Sequence, residues 1–184
     1  MRIIAGLAKG TVLACPASGL RPTTDRIREA IFSSLGERIV GASVLDFFAG
    51  TGALGLEAVS RGAGDVTLIE QLPEALATIR KNVDAVSRNQ GVSCRIAVVR
   101  GDVFARVKEF CLAQRRFDII FADPPYGDMA QKLLSDGELP GLLRAEGRLV
   151  LESAARETVI AERPWQLIRE AVYGDTRVSF YSRK

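Results

Sequence analysis

The chain has 184 residues, of which 47% are apolar and 26% are charged, with a formal net charge of +3 and no histidine. These proportions are typical of a globular domain and exclude disordered and fibrous classes. Because histidine is the commonest general base and metal ligand, we expect no metal site and no histidine chemistry. Its three cysteines are widely spaced, and no stretch has the ~20 apolar residues of a membrane span. We therefore expect a cytoplasmic protein with reduced thiols and no membrane contact.

The first 38 residues predict a small extension that precedes the main fold. Short apolar runs on either side of Gly6 and Gly10 indicate a hairpin, and apolar residues at helical spacing follow Thr24. Up to residue 28 there is one acidic residue, Asp25, against five basic ones: Arg2, Lys9, Arg21, Arg26 and Arg28. Such an excess suits a polyanion, because each neutralised phosphate releases condensed counterions.

Residues 39–184 alternate between strand and helix patterns. Apolar, β-branched runs predict strands at 44–48, 66–69, 96–99, 117–122 and 148–152. Helical spacing between them predicts helices at 53–61, 73–87, 103–114 and 130–134. Two further runs, 165–173 and 176–181, flank Gly174-Asp175, which indicates a hairpin. The order predicts a Rossmann-like α/β fold with a mostly parallel, seven-stranded sheet and a ligand crevice at the carboxyl ends of its strands.

A glycine loop follows the first strand of this predicted sheet. The stretch Gly50-Thr51-Gly52-Ala53-Leu54-Gly55 matches GxGxxG, and Glu70 ends the next strand. Glycines let the backbone approach a ligand closely, and an acidic group at that strand end can accept hydrogen bonds from ribose hydroxyls. Both a nicotinamide dinucleotide and S-adenosylmethionine satisfy this pattern.

Acidic residues at the other strand ends favour S-adenosylmethionine. Asp46 lies just before the loop, where it could hold a methionine ammonium and would repel a pyrophosphate. Asp102 follows the third strand, where its carboxylate and the neighbouring Val103 N–H could bind adenine. The predicted cofactor-binding residues are Asp46, Ala49, Gly50, Thr51, Gly52, Glu70, Asp102 and Val103.

The stretch Asp123-Pro124-Pro125-Tyr126 follows the fourth strand and indicates the chemistry. An exocyclic amine is a poor nucleophile, because its lone pair is delocalised into the aromatic ring. Hydrogen bonds from the amine to the Asp123 carboxylate and the Pro124 carbonyl would localise and aim that lone pair. Tyr126 would stack on the base. These four residues therefore predict methylation of an amino group on a nucleobase.

With these motifs, the sequence resembles the RsmD family of methyltransferases, which modify N2 of the guanine numbered 966 in small-subunit ribosomal RNA. Matching stretches cover nearly the whole chain, and the most specific is RPTTDRIRE at 21–29. Further matching residues lie at 1–6, 9–10, 44–61, 121–126 and 172–176.

The resemblance implies a class I methyltransferase fold, S-adenosylmethionine as methyl donor, and 16S ribosomal RNA in a 30S assembly particle as substrate. It also implies that residues 1–38 engage RNA, through the five basic residues given above, beside a methyltransferase domain at 39–184. We expect a monomer.

Three different functions fit parts of the same pattern. An N6-adenine or protein-amide methyltransferase is one of them, because such enzymes carry related Pro-Pro clamps, although Asp123 favours guanine. The second is a non-catalytic RNA-binding assembly factor that uses the fold as a platform. The third is a nicotinamide oxidoreductase, which the glycine loop alone would permit.

Overall fold

A computed structural model describes residues 1–15 and 24–184. Within these ranges the strands are β1 (Ser43–Phe47), β2 (Asp65–Glu70), β3 (Arg95–Arg100), β4 (Phe117–Ala122), β5 (Leu143–Ala154), β6 (Trp165–Tyr173) and β7 (Thr176–Arg183). The α-helices are α1 (Asp25–Leu35), α2 (Ala53–Ser60), α3 (Pro73–Ser87), α4 (Val103–Leu112) and α5 (Met129–Leu134). Short 3-10 turns occupy Gly36–Ile39 and Leu139–Leu142. None of the helices in the described ranges is long and apolar enough to cross a membrane.

All seven strands form one sheet in the order β3-β2-β1-β4-β5-β7-β6. From β3 to β5 the neighbours run parallel, whereas β7 is antiparallel to both β5 and β6. The predicted mostly parallel sheet with a carboxyl-terminal hairpin is confirmed. Because β1 and β4 lie at its centre, the residues that follow them emerge at the middle of one sheet edge, where a doubly wound fold places its ligand.

Helices cover both faces of the sheet, which explains why the central strands are apolar throughout. Along β1, Val44 packs with α1, α2 and α3 on one face, while Leu45 and Phe47 pack with α4 and α5 on the other. Strand side chains alternate between faces, so burial on both sides demands an unbroken apolar run. Burial of a side chain such as Phe47 stabilises the fold by roughly 1.5–3 kcal/mol.

The amino-terminal hairpin is shorter than the sequence suggests. Its ladder consists of one antiparallel bridge between Arg2 and Val12, flanked by backbone hydrogen bonds such as Ile3 N–H to the Thr11 carbonyl. Beyond the bridge the chain turns to helix α2. A Cβ at Gly6 would lie 1.9 Å from the Ser60 carbonyl oxygen, so only glycine permits this close approach.

The first residues of the chain share a core with the seven-stranded sheet. Ile3, Leu13 and Phe32 belong to the same buried cluster as the face of the sheet that α2 covers. Phe32 of α1 packs against Phe121 of β4, with ring centroids 5.5 Å apart. The division at residue 38 therefore stays a prediction about function, and the described part of the extension is packed as one body with the sheet.

Candidate active site

A cavity of about 320 Å³ lies at the carboxyl ends of β1, β2, β4 and β5. The glycine loop and the end of β2 form one side of it. Residues 123–126, Glu152 of β5 and Thr176 of β7 form the other side. The first turn of α1 contributes Thr24 and Ile27, so part of the amino-terminal extension is a wall of the site.

The glycine loop turns sharply from β1 into α2. Gly52 has a φ of +77°, and its N–H donates to the Ala49 carbonyl at 2.6 Å. Gly55 lies against the sheet, where a Cβ would meet a Leu68 methyl carbon at 2.4 Å. Gly52 thus permits the left-handed turn, and Gly55 lets α2 pack closely on β2.

Asp46 projects from β1 beneath the loop and is almost fully buried. Its carboxylate accepts the Gly55 N–H at 2.9 Å, which anchors the start of α2 to the strand. The pKa of Asp46 is raised to about 7, chiefly by burial and also by the charges of Asp123 and Glu70, while the Gly55 hydrogen bond opposes the increase. A positive ligand charge here would favour the ionised form, so the pKa links protonation of Asp46 to cation binding.

Glu70 ends β2 and fixes the floor of the cavity. Its carboxylate accepts backbone N–H groups from Gly50 at 2.9 Å, Gln71 at 2.7 Å and Leu72 at 2.9 Å. A carboxylate offers about four acceptor positions, so three donors leave capacity for a ligand hydroxyl. Glu70 therefore holds the glycine loop in place and can also bind a ribose.

The stretch from Asp123 to Tyr126 leaves β4 and crosses the opposite side of the cavity. Tyr126 is 44% exposed at the rim, and its hydroxyl lies 3.3 Å from Thr176 Oγ1. After the motif, the Gly127 N–H donates to the Glu157 carboxylate at 2.6 Å, which fixes the outgoing chain. An aromatic face beside a carboxylate at the cavity mouth can receive a planar base that carries an amine.

Comparison with known proteins identifies the family. The family model described as Conserved hypothetical protein 95 matches residues 1–182. The Escherichia coli K12 protein "Ribosomal RNA small subunit methyltransferase D" is 37% identical over 198 residues, covering 100% of this chain and 90% of that protein. The Bacillus subtilis "Putative rRNA methyltransferase YlbH" is 32% identical over 188 residues, covering 100% of both chains. A solved structure, "Putative methyltransferase yhhF from Escherichia coli", is 35% identical, with a TM-score of 0.79 and coverage of 100% and 98%.

This chain belongs to the Conserved hypothetical protein 95 family, the RsmD family. The resemblance inferred from the sequence motifs is confirmed. The fold is the Rossmann-like fold of class I S-adenosylmethionine-dependent methyltransferases, and the protein is a methyltransferase.

Most of the cofactor-binding residues predicted for this RsmD-family chain lie at the cavity, and three do not. Gly52, Asp102 and Val103 are absent from its walls, whereas the wall contains Asp46, Ala49, Gly50, Thr51 and Glu70. Asp102 is exposed at the start of α4, where its carboxylate caps the helix by accepting the Ala105 N–H at 3.0 Å. Its role toward adenine stays a prediction, and the capping role was missed.

The structure corrects one of the proposed RNA contacts. Arg28 of α1 is fully buried, and its guanidinium donates to Asp25 at 2.6 Å and to the Arg2 carbonyl at 2.8 Å. It also lies 3.9 Å from the Glu57 carboxylate of α2. A buried charge requires partners, and here they tie α1 to the amino-terminal bridge at Arg2 and to α2. Arg28 is therefore an internal anchor and has no surface to offer a phosphate.

The other predicted RNA contacts differ in their positions. Arg2, Lys9 and Arg26 are exposed, so their side chains are accessible to a polyanion. Arg21 lies outside the described residues. Their roles in RNA binding stay predictions.

Several cavity residues were not singled out from the sequence. Phe48 has a φ of 55° at the end of β1, which places its half-buried ring on the wall. Glu152 and Thr176 lie on strands that the sequence did predict, and an acidic residue at a strand end was a signal for Glu152. Thr24 is the N-cap of α1, and its hydroxyl oxygen accepts the Ile27 N–H at 3.4 Å.

Proposed function

We propose that this RsmD-family methyltransferase transfers a methyl group from S-adenosylmethionine to N2 of the guanine numbered 966 in 16S ribosomal RNA, within a 30S assembly particle. One observation carries the proposal. Residues Asp123 to Tyr126 line the same cavity as the glycine loop and Glu70, so an amine clamp and a cofactor cradle open into one space. The related Escherichia coli protein, named as a small-subunit ribosomal RNA methyltransferase, supports the substrate class.

The charge of the cavity fits this cofactor. Four acidic residues line it, namely Asp46, Glu70, Asp123 and Glu152, and no described residue of the wall is a lysine or arginine. Negative surroundings favour a sulfonium and an ammonium and disfavour the pyrophosphate of a dinucleotide. We assign the ammonium to Asp46 and the ribose to Glu70. When bound, S-adenosylmethionine supplies an electrophilic methyl group on a positively charged sulfur.

The protein's own contribution to the chemistry is to hold and orient the amine. We assign one N–H of the guanine amine to the Asp123 carboxylate and the other to the Pro124 carbonyl, with Tyr126 stacked on the ring. These contacts reduce delocalisation of the nitrogen lone pair and position it for transfer. After methylation the nitrogen loses a proton, and we assign Asp123 as the group that accepts it.

The described part of the extension supports an RNA substrate. Exposed Arg2, Lys9 and Arg26 lie in the same segment as Thr24, which reaches the cavity wall. We propose that residues 1–38 guide the RNA backbone while its base enters the site, as enzymes that modify bases require. The domain at 39–184 then performs the transfer as a monomer.

Product analysis tests the proposal. The purified protein is incubated with labelled S-adenosylmethionine and either naked 16S RNA or 30S particles that lack the modification. We expect one labelled N2-methylguanosine, at higher yield from the particles. Labelled N6-methyladenosine or a methylated protein amide would instead establish one of the rival enzymes, and no transfer to any substrate would indicate an RNA-binding assembly factor.

A further inference from the structure

A second carboxylate lies beside Asp123 on the base side of the cavity. Glu152 is near the end of β5, is almost fully buried and lines the cavity. Strands β4 and β5 are parallel, with Ala122 paired to Leu151. Asp123 and Glu152 are the next residues along these two strands, so the register brings both to the same sheet edge.

The strand order separates Glu152 from the cofactor. Across the sheet, Asp46 of β1, the end of β4 and Glu152 of β5 follow one another, and β7 lies beyond. We assign the cofactor to the β1 side, so the amine of a base held at Asp123 points toward β1. The rest of that base then extends toward β5 and β7. Tyr126 closes that end of the cavity, because its hydroxyl lies 3.3 Å from Thr176 Oγ1 of β7. Glu152 is therefore on the side where the atoms next to the amine would lie.

The chemistry of the two purines makes a carboxylate at this place selective. In guanine, the N2 amine lies between N1–H, which is a donor, and N3, which is an acceptor. In adenine, the N6 amine is next to N1 without a proton, which is an acceptor. An ionised carboxylate only accepts hydrogen bonds, so it pairs with guanine N1–H and repels adenine N1. A site that hydrogen-bonds a donor of its substrate strongly rejects an analogue that lacks this donor.

We propose that Glu152 is the specificity-determining residue that selects guanine, by accepting a hydrogen bond from N1–H while Asp123 holds the N2 amine. This inference rests on the proposed function, because it requires guanine N2 as the target. Glu152 would thus recognise the N1 edge of the base, while Asp123 and Pro124 hold its amine.

A modified substrate separates this role from a structural one. In 2-aminopurine the amine at C2 is kept, but N1 carries no proton. We compare kcat/KM for 30S particles reconstituted with RNA that carries guanine or 2-aminopurine at the target position. The wild-type protein should prefer guanine by on the order of 100-fold.

The variant Glu152→Gln should reduce that preference at least about tenfold. Its amide can donate to the bare N1 of 2-aminopurine, whereas a carboxylate cannot. Glu146→Gln is the matched control, because Glu146 lies on the same strand β5 but is exposed near its opposite end. The control should keep the wild-type preference.

Two results would overturn the inference. One is a wild-type preference below about threefold, a measurement that needs no variant to fold. The other is a folded Glu152→Gln protein, checked by its melting temperature, with an unchanged ratio. If the wild-type protein methylates neither particle, the proposed function itself fails, and this outcome is distinct from methylation without selectivity.

Discussion

The two sides of the cavity differ in the exposure of several side chains that line them. On the cofactor side, Glu70 binds three backbone N–H groups and Asp46 binds one, and both carboxylates are buried. On the base side, Pro125 and Tyr126 are exposed, as is Thr24 of α1. The hydroxyl of Tyr126 makes a long contact, 3.3 Å, with Thr176 Oγ1.

This difference matches the two ligands that we assign to the cavity. A small cofactor with fixed charges benefits from a preformed site, because little ordering remains to oppose binding. A base that must leave an RNA stack benefits from a rim that it can reach from the solvent. We therefore expect mutations on the cofactor side to change binding of the small molecule, and mutations on the base side to change turnover.

The largest expected effect concerns the anchor of the base-side wall. Arg28→Ala should lower the free energy of unfolding by about 3 kcal/mol, because it removes a fully buried side chain together with its hydrogen bonds to Asp25 and to the Arg2 carbonyl. Glu57 keeps Arg61 as a partner at 2.7 Å. Arg26→Ala, on the same helix but exposed, should leave stability within about 0.5 kcal/mol. Urea unfolding measures both. Equal effects of the two substitutions would show that Arg28 is no anchor.

For RNA binding we expect the opposite order, in which the exposed Arg26 contributes more than the buried Arg28. Arg26→Ala should weaken RNA binding and reduce the slope of log affinity against log salt by about one, as expected for the loss of one phosphate contact. An unchanged slope would remove Arg26 from the RNA-binding surface.

Removal of the amine acceptor should have the next largest effect. Asp123→Ala should slow single-turnover methyl transfer on the order of 100-fold, because a charged hydrogen-bond partner is lost at the transition state. Affinity for S-adenosylmethionine should change less than about threefold. Asp128→Ala, five residues on and exposed, is the control and should transfer methyl groups at the wild-type rate. Wild-type turnover by Asp123→Ala would disprove the clamp.

On the cofactor side, Gly52→Val should weaken binding of S-adenosylmethionine at least about 30-fold. The φ of +77° at Gly52 disfavours a β-branched residue, and a Cβ would lie 3.3 Å from a Leu56 methyl carbon. Thermal-shift titration measures the loss, and circular dichroism checks that the fold remains. Normal binding by this variant would show that the loop does not shape the cofactor site.

The fold was predictable because its signals are local and repeated. Apolar runs located the parallel strands, glycines located the turns, and the pair Gly174-Asp175 located the last hairpin. The amino-terminal hairpin is shorter than predicted, because the backbone N–H groups of Ile4 and Ala5 donate to Glu57 and not to a facing strand. That contact joins residues more than fifty positions apart, which no local pattern reveals.

The candidate site was predictable only in part, for a related reason. Motif spacing located Asp46, Glu70 and Asp123 at strand ends that meet at one edge. Charge alone could not tell that Arg28 is buried, because the sequence does not show which carboxylate pairs with it. Similarly, a strand-end acid such as Asp102 gives the same sequence pattern whether it binds a ligand or caps a helix.

The raised pKa of Asp46 gives the cofactor side a pH dependence. A bound cation favours the ionised carboxylate, so affinity for S-adenosylmethionine should increase up to about tenfold as pH rises through 7. Asp46→Asn keeps an acceptor for the Gly55 N–H but should lose this increase. The ligand's own amine titrates equally in both proteins, so calorimetry of the pair isolates Asp46. Parallel pH profiles would contradict the assignment.

The same group affects the stability of the empty protein. The folded state holds this proton more tightly than the unfolded chain, so its stabilising contribution is present at pH 4 and is lost as pH rises to 7. Asp46→Asn should therefore raise the melting temperature more at pH 8 than at pH 4.

The smallest expected effect concerns the hydroxyl at the rim. Tyr126→Phe should change kcat/KM less than about threefold, because stacking needs only the ring, whereas Tyr126→Ala should weaken base binding about tenfold or more. A large loss of kcat/KM in Tyr126→Phe would show that the hydroxyl contact with Thr176 matters more than stacking of the ring.

The contrast between a preformed cofactor side and a solvent-exposed base side is tested most directly by calorimetric titration of the protein alone. Without RNA, we expect saturable binding of one S-adenosylmethionine per chain, with an affinity that stays within about threefold when an RNA analogue is added. No binding until RNA is present would contradict it, because the cofactor side would then be built by the substrate. Preferential binding of a nicotinamide dinucleotide would contradict it as well.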